Sequence, residues 1–113
     1  MGIISCAFFG WLCKDERMRD KFPLPKAELE EKIAKGQIDT VVVAMTDMQG
    51  RLVGKRLDAN YFLSDVLKHG TEGCNYLLAV DVDMNTVPGY EMSSWDKGYS
   101  DLAMLPDLNT LRY

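Results

Sequence analysis

One carboxylate beside two hydroxyls sets the chemistry that this sequence can offer. In Tyr90-Glu91-Met92-Ser93-Ser94-Trp95, Glu91 shares a loop with Ser93 and Ser94, and glycines border it at Gly89 and Gly98. Such a group can hold an ammonium ion or a protonated amine, because the carboxylate pairs with the cation and then accepts its proton. A surface loop whose serines cap turns accounts for the same residues without chemistry. Residue types alone favour that second account.

Other constellations fall short of their patterns. Gly50-Arg51-Leu52-Val53-Gly54-Lys55-Arg56 resembles a phosphate-binding loop, but one residue is missing between the glycines and Arg56 stands where Ser or Thr is needed. A solvated hairpin with basic residues explains it better. Asp81, Asp83 and Asn85 alternate like the start of a calcium loop, yet Thr86 replaces the glycine and Met92 the closing glutamate. His69 is the sole histidine, and no G-x-S-x-G accompanies it. Its place at a predicted helix C-terminus is explained by the dipole there. No cluster with metal-ligand spacing is visible.

The elements that must position Glu91 are legible in outline. The 113 residues suit one core, and 47% hydrophobic with 27% charged residues is ordinary globular composition. A net charge of −4 argues against nucleic acid as a partner. No apolar run approaches a membrane-spanning length. Cys6, Cys13 and Cys74 are odd in number and widely spaced, which fits a reducing cytoplasm rather than a disulfide framework. Residues 1–24 read as an extension, apolar through Gly2 to Cys13 and then highly charged, without the layout of a secretory signal. The opening Met1-Gly2 approaches a myristoylation signal but carries Cys6 where Ser or Thr belongs.

The ordered domain is expected over residues 25–113. Lys26 to Lys35 predicts a helix, with Pro25 in its first turn, Gly36 past its end and Leu29 and Ile33 on one face. Ile38 to Met45 predicts a strand buried on both faces through Val41-Val42-Val43, and Arg51 to Lys55 its hairpin partner across Asp47-Met48-Gln49-Gly50. Asp58 predicts the N-cap of a helix reaching Lys68, closed by Gly70. Asn75 to Asp83 and Leu102 to Leu105 predict further strands, and Thr110 to Tyr113 the start of another. Val87 to Tyr99 predicts a loop long for so small a domain. The pattern is α+β, a small mixed sheet with helices packed on one face.

Three ordered segments then resemble the N-terminal domain of the glutamine synthetase family. Val43-Ala44-Met45-Thr46-Asp47-Met48-Gln49-Gly50-Arg51 looks like its first hairpin. Tyr90-Glu91-Met92-Ser93-Ser94 is similar to its Phe-Asp-Gly-Ser-Ser loop, and the stretch from Asp101 to Arg112 to its Asp-x-x-x-x-Pro-Asp-x-x-Thr segment. Together they cover roughly two-thirds of the chain. Val87-Pro88-Gly89-Tyr90 and Ser94-Trp95-Asp96-Lys97-Gly98-Tyr99 look more like the type III branch, which includes γ-glutamyl-amine ligases.

The resemblance implies a β-grasp domain of an ATP-dependent glutamate–ammonia or glutamate–amine ligase. Such enzymes form rings in which this domain's loop completes a neighbouring subunit's site. ATP and Mg or Mn are expected only in the complete enzyme, and the isolated chain is expected to be inactive. By position, Glu91 stands where the family has the Asp that holds and deprotonates ammonium, and Ser94 at the second Ser of the loop. Glu91 is one methylene longer than Asp and Met92 replaces a Gly, changes that fit a larger amine. The alternative is a non-catalytic module that associates with complete subunits. A lipid-anchored adaptor using Gly2 is a third possibility.

Overall fold

A computed structural model describes residues 2–6 as backbone, and residues 23–91 and 95–113 in full. Strand β1 (Gly2–Cys6) is followed by helix α1 (Lys26–Ala34) and the antiparallel hairpin β2 (Thr40–Thr46) and β3 (Leu52–Asp58). Three helical pieces then run end to end: α2 (Ala59–Tyr61), a π-helical turn (Phe62–Val66) and α3 (Leu67–His69). Strand β4 (Thr71–Cys74) leads to a 3-10 turn (Asn75–Leu78). After the long loop come β5 (Asp101–Met104), a second 3-10 turn (Leu108–Thr110) and β6 (Leu111–Arg112). A four-stranded sheet has the order β3-β2-β1-β6, with β1 parallel to β2 and the other pairs antiparallel. Strands β4 and β5 form a separate antiparallel pair. This is a small β-grasp-like α+β fold: the element pattern predicts the α+β class, and the family resemblance implies the β-grasp.

Local chemistry explains the element ends. Helix α1 runs from Pro25, which lacks an N–H to satisfy, to a backward turn at Gly36 with φ +68°. Three i,i+4 pairs, Lys26–Glu30, Glu28–Lys32 and Glu31–Lys35, line its exposed side. Asp58 caps α2 as expected, accepting from the N–H groups of Asn60 (2.9 Å) and Tyr61 (3.0 Å). Gly70 closes the helical run with φ +77°.

One core joins helices and sheet. Leu29 and Ile33 of α1, Phe62 and Val66 of the π turn, and Val41 and Val43 of β2 are buried together with Leu24, Ile38, Ala59 and Leu111. Full burial of each large aliphatic or aromatic side chain contributes about 1.5–3 kcal/mol, so this cluster dominates stability. Phe62 and Val66 stay in contact with the core because the π turn keeps both on its inner side, whereas Leu63 and Leu67 are only partly buried.

Three expectations differ from the structure. Asn75 to Asp83 does not form a strand: the strand lies earlier, at Thr71–Cys74, and Asn75–Leu78 coils as a 3-10 turn. The sequence predicts a strand from Asn75 onward, but Asn75 instead bonds back to Ser100 across the loop base. Val42 is half-buried rather than enclosed, so β2 alternates instead of burying every valine. Strand β1 was not expected at all. Its backbone fills the slot between β2 and β6, pairing Gly2 with Val41 and Ile4 with Leu111.

The β2–β3 turn is held by a buried charge. The side chain of Asp47 has no solvent exposure and its Oδ2 accepts from Arg51 Nε at 2.7 Å. Its Oδ1 accepts from the backbone N–H groups of Gln49 (2.9 Å) and Arg51 (2.8 Å). Gly50 supplies the positive φ, +81°, that closes the turn. Burial on its own would raise the carboxyl pKa. The Arg51 and Gln49 donors and the guanidinium charge outweigh it, so the pKa falls below 3.8. Asp65 and Asp81 are lowered too, Asp65 first by its bonds to His69 and Tyr61, Asp81 first by the backbone N–H of Asn85.

Two outcomes follow for stability. At Gly54 an added Cβ would lie 2.0 Å from the Val43 carbonyl oxygen and 2.6 Å from Ala44 Cα, both backbone atoms that cannot step aside. Gly54→Ala is therefore expected to destabilise by about 3 kcal/mol. Gly36→Ala, with open space but positive φ, should cost about 1 kcal/mol, and urea midpoints compare the two. All three lowered aspartates gain folding stability above their unfolded pKa, near 3.8, and lose it as pH falls through their lower folded values. The melting temperature should drop with acid below about pH 4. Asp47→Asn should lower it at neutral pH and flatten that acid dependence.

Candidate functional site

The Glu91 loop is built on two fixed bases. On its entry side, Val80 bridges Thr86 in antiparallel fashion and the Val87 N–H donates to the Ala79 carbonyl at 3.0 Å. On its exit side, the Asn75 N–H donates to the Ser100 carbonyl at 2.9 Å, and Asn75 Nδ2 to Ser100 Oγ at 3.0 Å. Ser100 leads straight into β5, which pairs with β4. A long loop is thereby fastened at both ends to backbone that the sheets and turns already hold.

The loop walls an open cleft of about 570 Å³, lined by Val87, Pro88, Tyr90, Glu91, Trp95 and Tyr99 among others. An aromatic stack stiffens one wall. The Trp95 and Tyr99 rings meet edge to face at 5.2 Å, and Tyr99 meets Tyr76 at 6.1 Å. Trp95 Nε1 donates to Thr86 Oγ1 at 3.1 Å, tying the exit arm to the entry arm. Lys97 Nζ donates to the Glu91 backbone carbonyl at 2.9 Å, which fixes the main chain at the carboxylate. Trp95 itself is 80% exposed. An apolar wall beside an exposed carboxylate can receive a cation that carries a small apolar group.

Of the two residues singled out from sequence, Glu91 lines the cleft and is exposed. Ser94 falls outside the described residues. The near misses are also resolved. Asp81 accepts from the N–H groups of Asp83 (2.9 Å) and Asn85 (2.8 Å) and from Asn85 Nδ2 (3.2 Å), so its oxygens organise a turn. Among the described residues no group of three or more His, Cys, Asp or Glu could hold a metal ion. The glycine-rich stretch from Gly50 to Arg56 is the hairpin itself. A ring nitrogen of His69, Nδ1, lies 2.9 Å from Asp65 on an exposed helical surface, outside the cleft lining. Sequence reasoning missed the pairing of Arg51 with the segment before the loop. The Asp47 and Arg51 spacing was the available signal.

No helix among the described residues is long and apolar enough to cross a membrane. No family model matches the chain, and no solved structure matches it. Two curated proteins do. A gamma-glutamylethanolamide synthetase of Streptomyces coelicolor is 67% identical over 90 residues, 80% of this chain and 20% of that protein. A glutamate–isopropylamine ligase of a Pseudomonas species is 42% identical over 79 residues, 70% of this chain and 17% of that protein. The chain thus spans about a fifth of the length of the curated relatives it matches. With 67% and 42% identity over most of its length, the chain belongs to the glutamine synthetase family.

Proposed function

We propose that this chain is the amine-receiving domain of an ATP-dependent glutamate–amine ligase whose acceptor is a small primary amine. The observation that carries the reading is Glu91, exposed in a cleft whose loop is fastened at both ends. The relatives support it, since their names specify an ethanolamide product and an isopropylamine substrate, both derived from small primary amines. In this role Glu91 pairs with the alkylammonium and takes one proton from it. The freed amine lone pair then attacks the γ-carbonyl of glutamate, activated by the ligase's ATP as an acyl phosphate. The C–N bond forms, the C–O bond to phosphate breaks, and the nitrogen's second proton leaves with the phosphate. Trp95 and Tyr99 give the amine's substituent an apolar wall.

ATP and Mg or Mn belong to the remainder of the ligase in this proposal. Subunits would assemble as a ring in the cytoplasm, with this loop completing a neighbouring site. A second reading is a non-catalytic module that joins complete ligase subunits. The exposed Met48 and Val82 beside the hairpin turn favour it.

In the complete ligase, Glu91→Gln keeps the side chain's size but removes its charge and basicity. Turnover with the amine is expected to fall by about 10²–10⁴-fold, with the glutamate KM unchanged, in steady-state kinetics. An unchanged rate would remove Glu91 from the mechanism and leave the joining module as the better account.

A further inference from the structure

We infer that Arg51 is a positioning residue for the amine-receiving loop, an inference that rests on the role proposed for that loop. Arg51 does not line the cleft. It grips the chain that leads into it. Its guanidinium donates to the carbonyl oxygens of Asp81 (3.0 Å) and Val82, and Nη2 lies 3.3 Å from Met84 Sδ. Gln49, from the same turn, donates through Nε2 to the Val80 carbonyl at 3.0 Å. Two side chains of one hairpin turn thus hold three consecutive carbonyls, Val80 through Val82.

The grip is directional at both ends. Asp47 fixes the guanidinium from behind, through Nε and the turn's own N–H groups, and its side chain is fully buried. A planar fork held in this way reaches two carbonyls in one fixed arrangement, which a lysine ammonium cannot reproduce. On the far side, Asp81 organises the turn through Asp83 and Asn85, and Val80 bridges Thr86 at the loop entrance. Met84, at the tip of that turn, holds φ +67°, a conformation that a non-glycine residue keeps only when its surroundings impose it. Displacing Arg51 therefore releases the 81–85 turn, and the loop entrance shifts relative to the hairpin. Glu91 moves with it.

The test compares Arg51→Ala and Arg51→Lys by hydrogen exchange on this chain and by kinetics in the complete ligase. In Arg51→Ala the amides of Asn85 and Val87 should exchange about tenfold faster or more, while the Val43 amide in β2 keeps its rate. The amine KM should rise about tenfold or more with the glutamate KM unchanged, because small misplacement of a binding group is costly. Arg51→Lys should fall between wild type and Arg51→Ala, and it carries both readings if the alanine variant fails to fold. Unchanged exchange at Asn85 and Val87, or equal acceleration at Val43, overturns the inference. So does a loosened loop with an unchanged amine KM. In that case Glu91→Gln in the same enzyme decides separately: a loss there leaves the loop's proposed role standing.

Discussion

A buried carboxylate is the constraint on which the working end of this domain depends. An uncompensated charge in the position of Asp47 would be prohibitive, so the fold must deliver donors to it. It does so within five residues of chain. Gln49 and Arg51 supply backbone N–H groups, and Arg51 adds its guanidinium. Satisfying the charge therefore dictates the shape of the β2–β3 turn. It also leaves the outer edge of the guanidinium pointing at whatever packs against the turn, and the carbonyls of Asp81 and Val82 occupy that place. One ion pair fixes both a local turn and a contact across some thirty residues of sequence.

The same economy governs the loop. The described residues between Val87 and Tyr99 form no helix or strand, and a free chain of that length would hold a carboxylate anywhere within a wide volume. Here its mobility is limited by a bridge at Val80–Thr86, a side-chain and backbone clasp at Asn75–Ser100, and an internal tie from Trp95 to Thr86. The hydrophobic core contributes indirectly. Phe62, Val66 and the β2 valines hold the sheet rigid, and the hairpin turn is cantilevered from that sheet. Rigidity passes from core to strand, from strand to turn, and from turn to loop.

Much of this was legible in sequence because it rests on local chemistry. The Asp58 cap, the turn at Gly50, the α1 face of Leu29 and Ile33 and the long loop all follow from residue types at short spacing. The failures have a common cause. Strand β1 gains its place from partners 39 and about 107 residues away in sequence, and no periodicity within five residues announces that pairing. Asn75 stands outside any strand, and its amide bonds Ser100, a tertiary partner 25 residues on that residue types at short spacing do not announce. The Arg51 contacts were hidden for the same reason. Asp47 and Arg51 are four apart and visible, but the carbonyls that the arginine grips are backbone atoms, which carry no signature in residue type.

In the role proposed for Glu91, its exposure makes the loop useful only as part of something larger. A carboxylate in open water binds an ammonium weakly, since water solvates both ions and screens their attraction. Removing the water strengthens the pair and makes proton transfer to the carboxylate possible, and that requires a cover opposite the Trp95 and Tyr99 wall. What this chain can supply by itself is position. A carboxylate must sit within hydrogen-bond reach of a nitrogen that is held elsewhere, and a misplacement of about 1 Å is enough to lose most of the rate. The longer glutamate reaches further than an aspartate would but has one more rotatable bond, so its carboxyl is less well fixed by its own backbone. A tighter hold on that backbone offsets the added freedom. Lys97 on the Glu91 carbonyl is one such contact, and Arg51 on the chain before the loop is, in the inference drawn above, another.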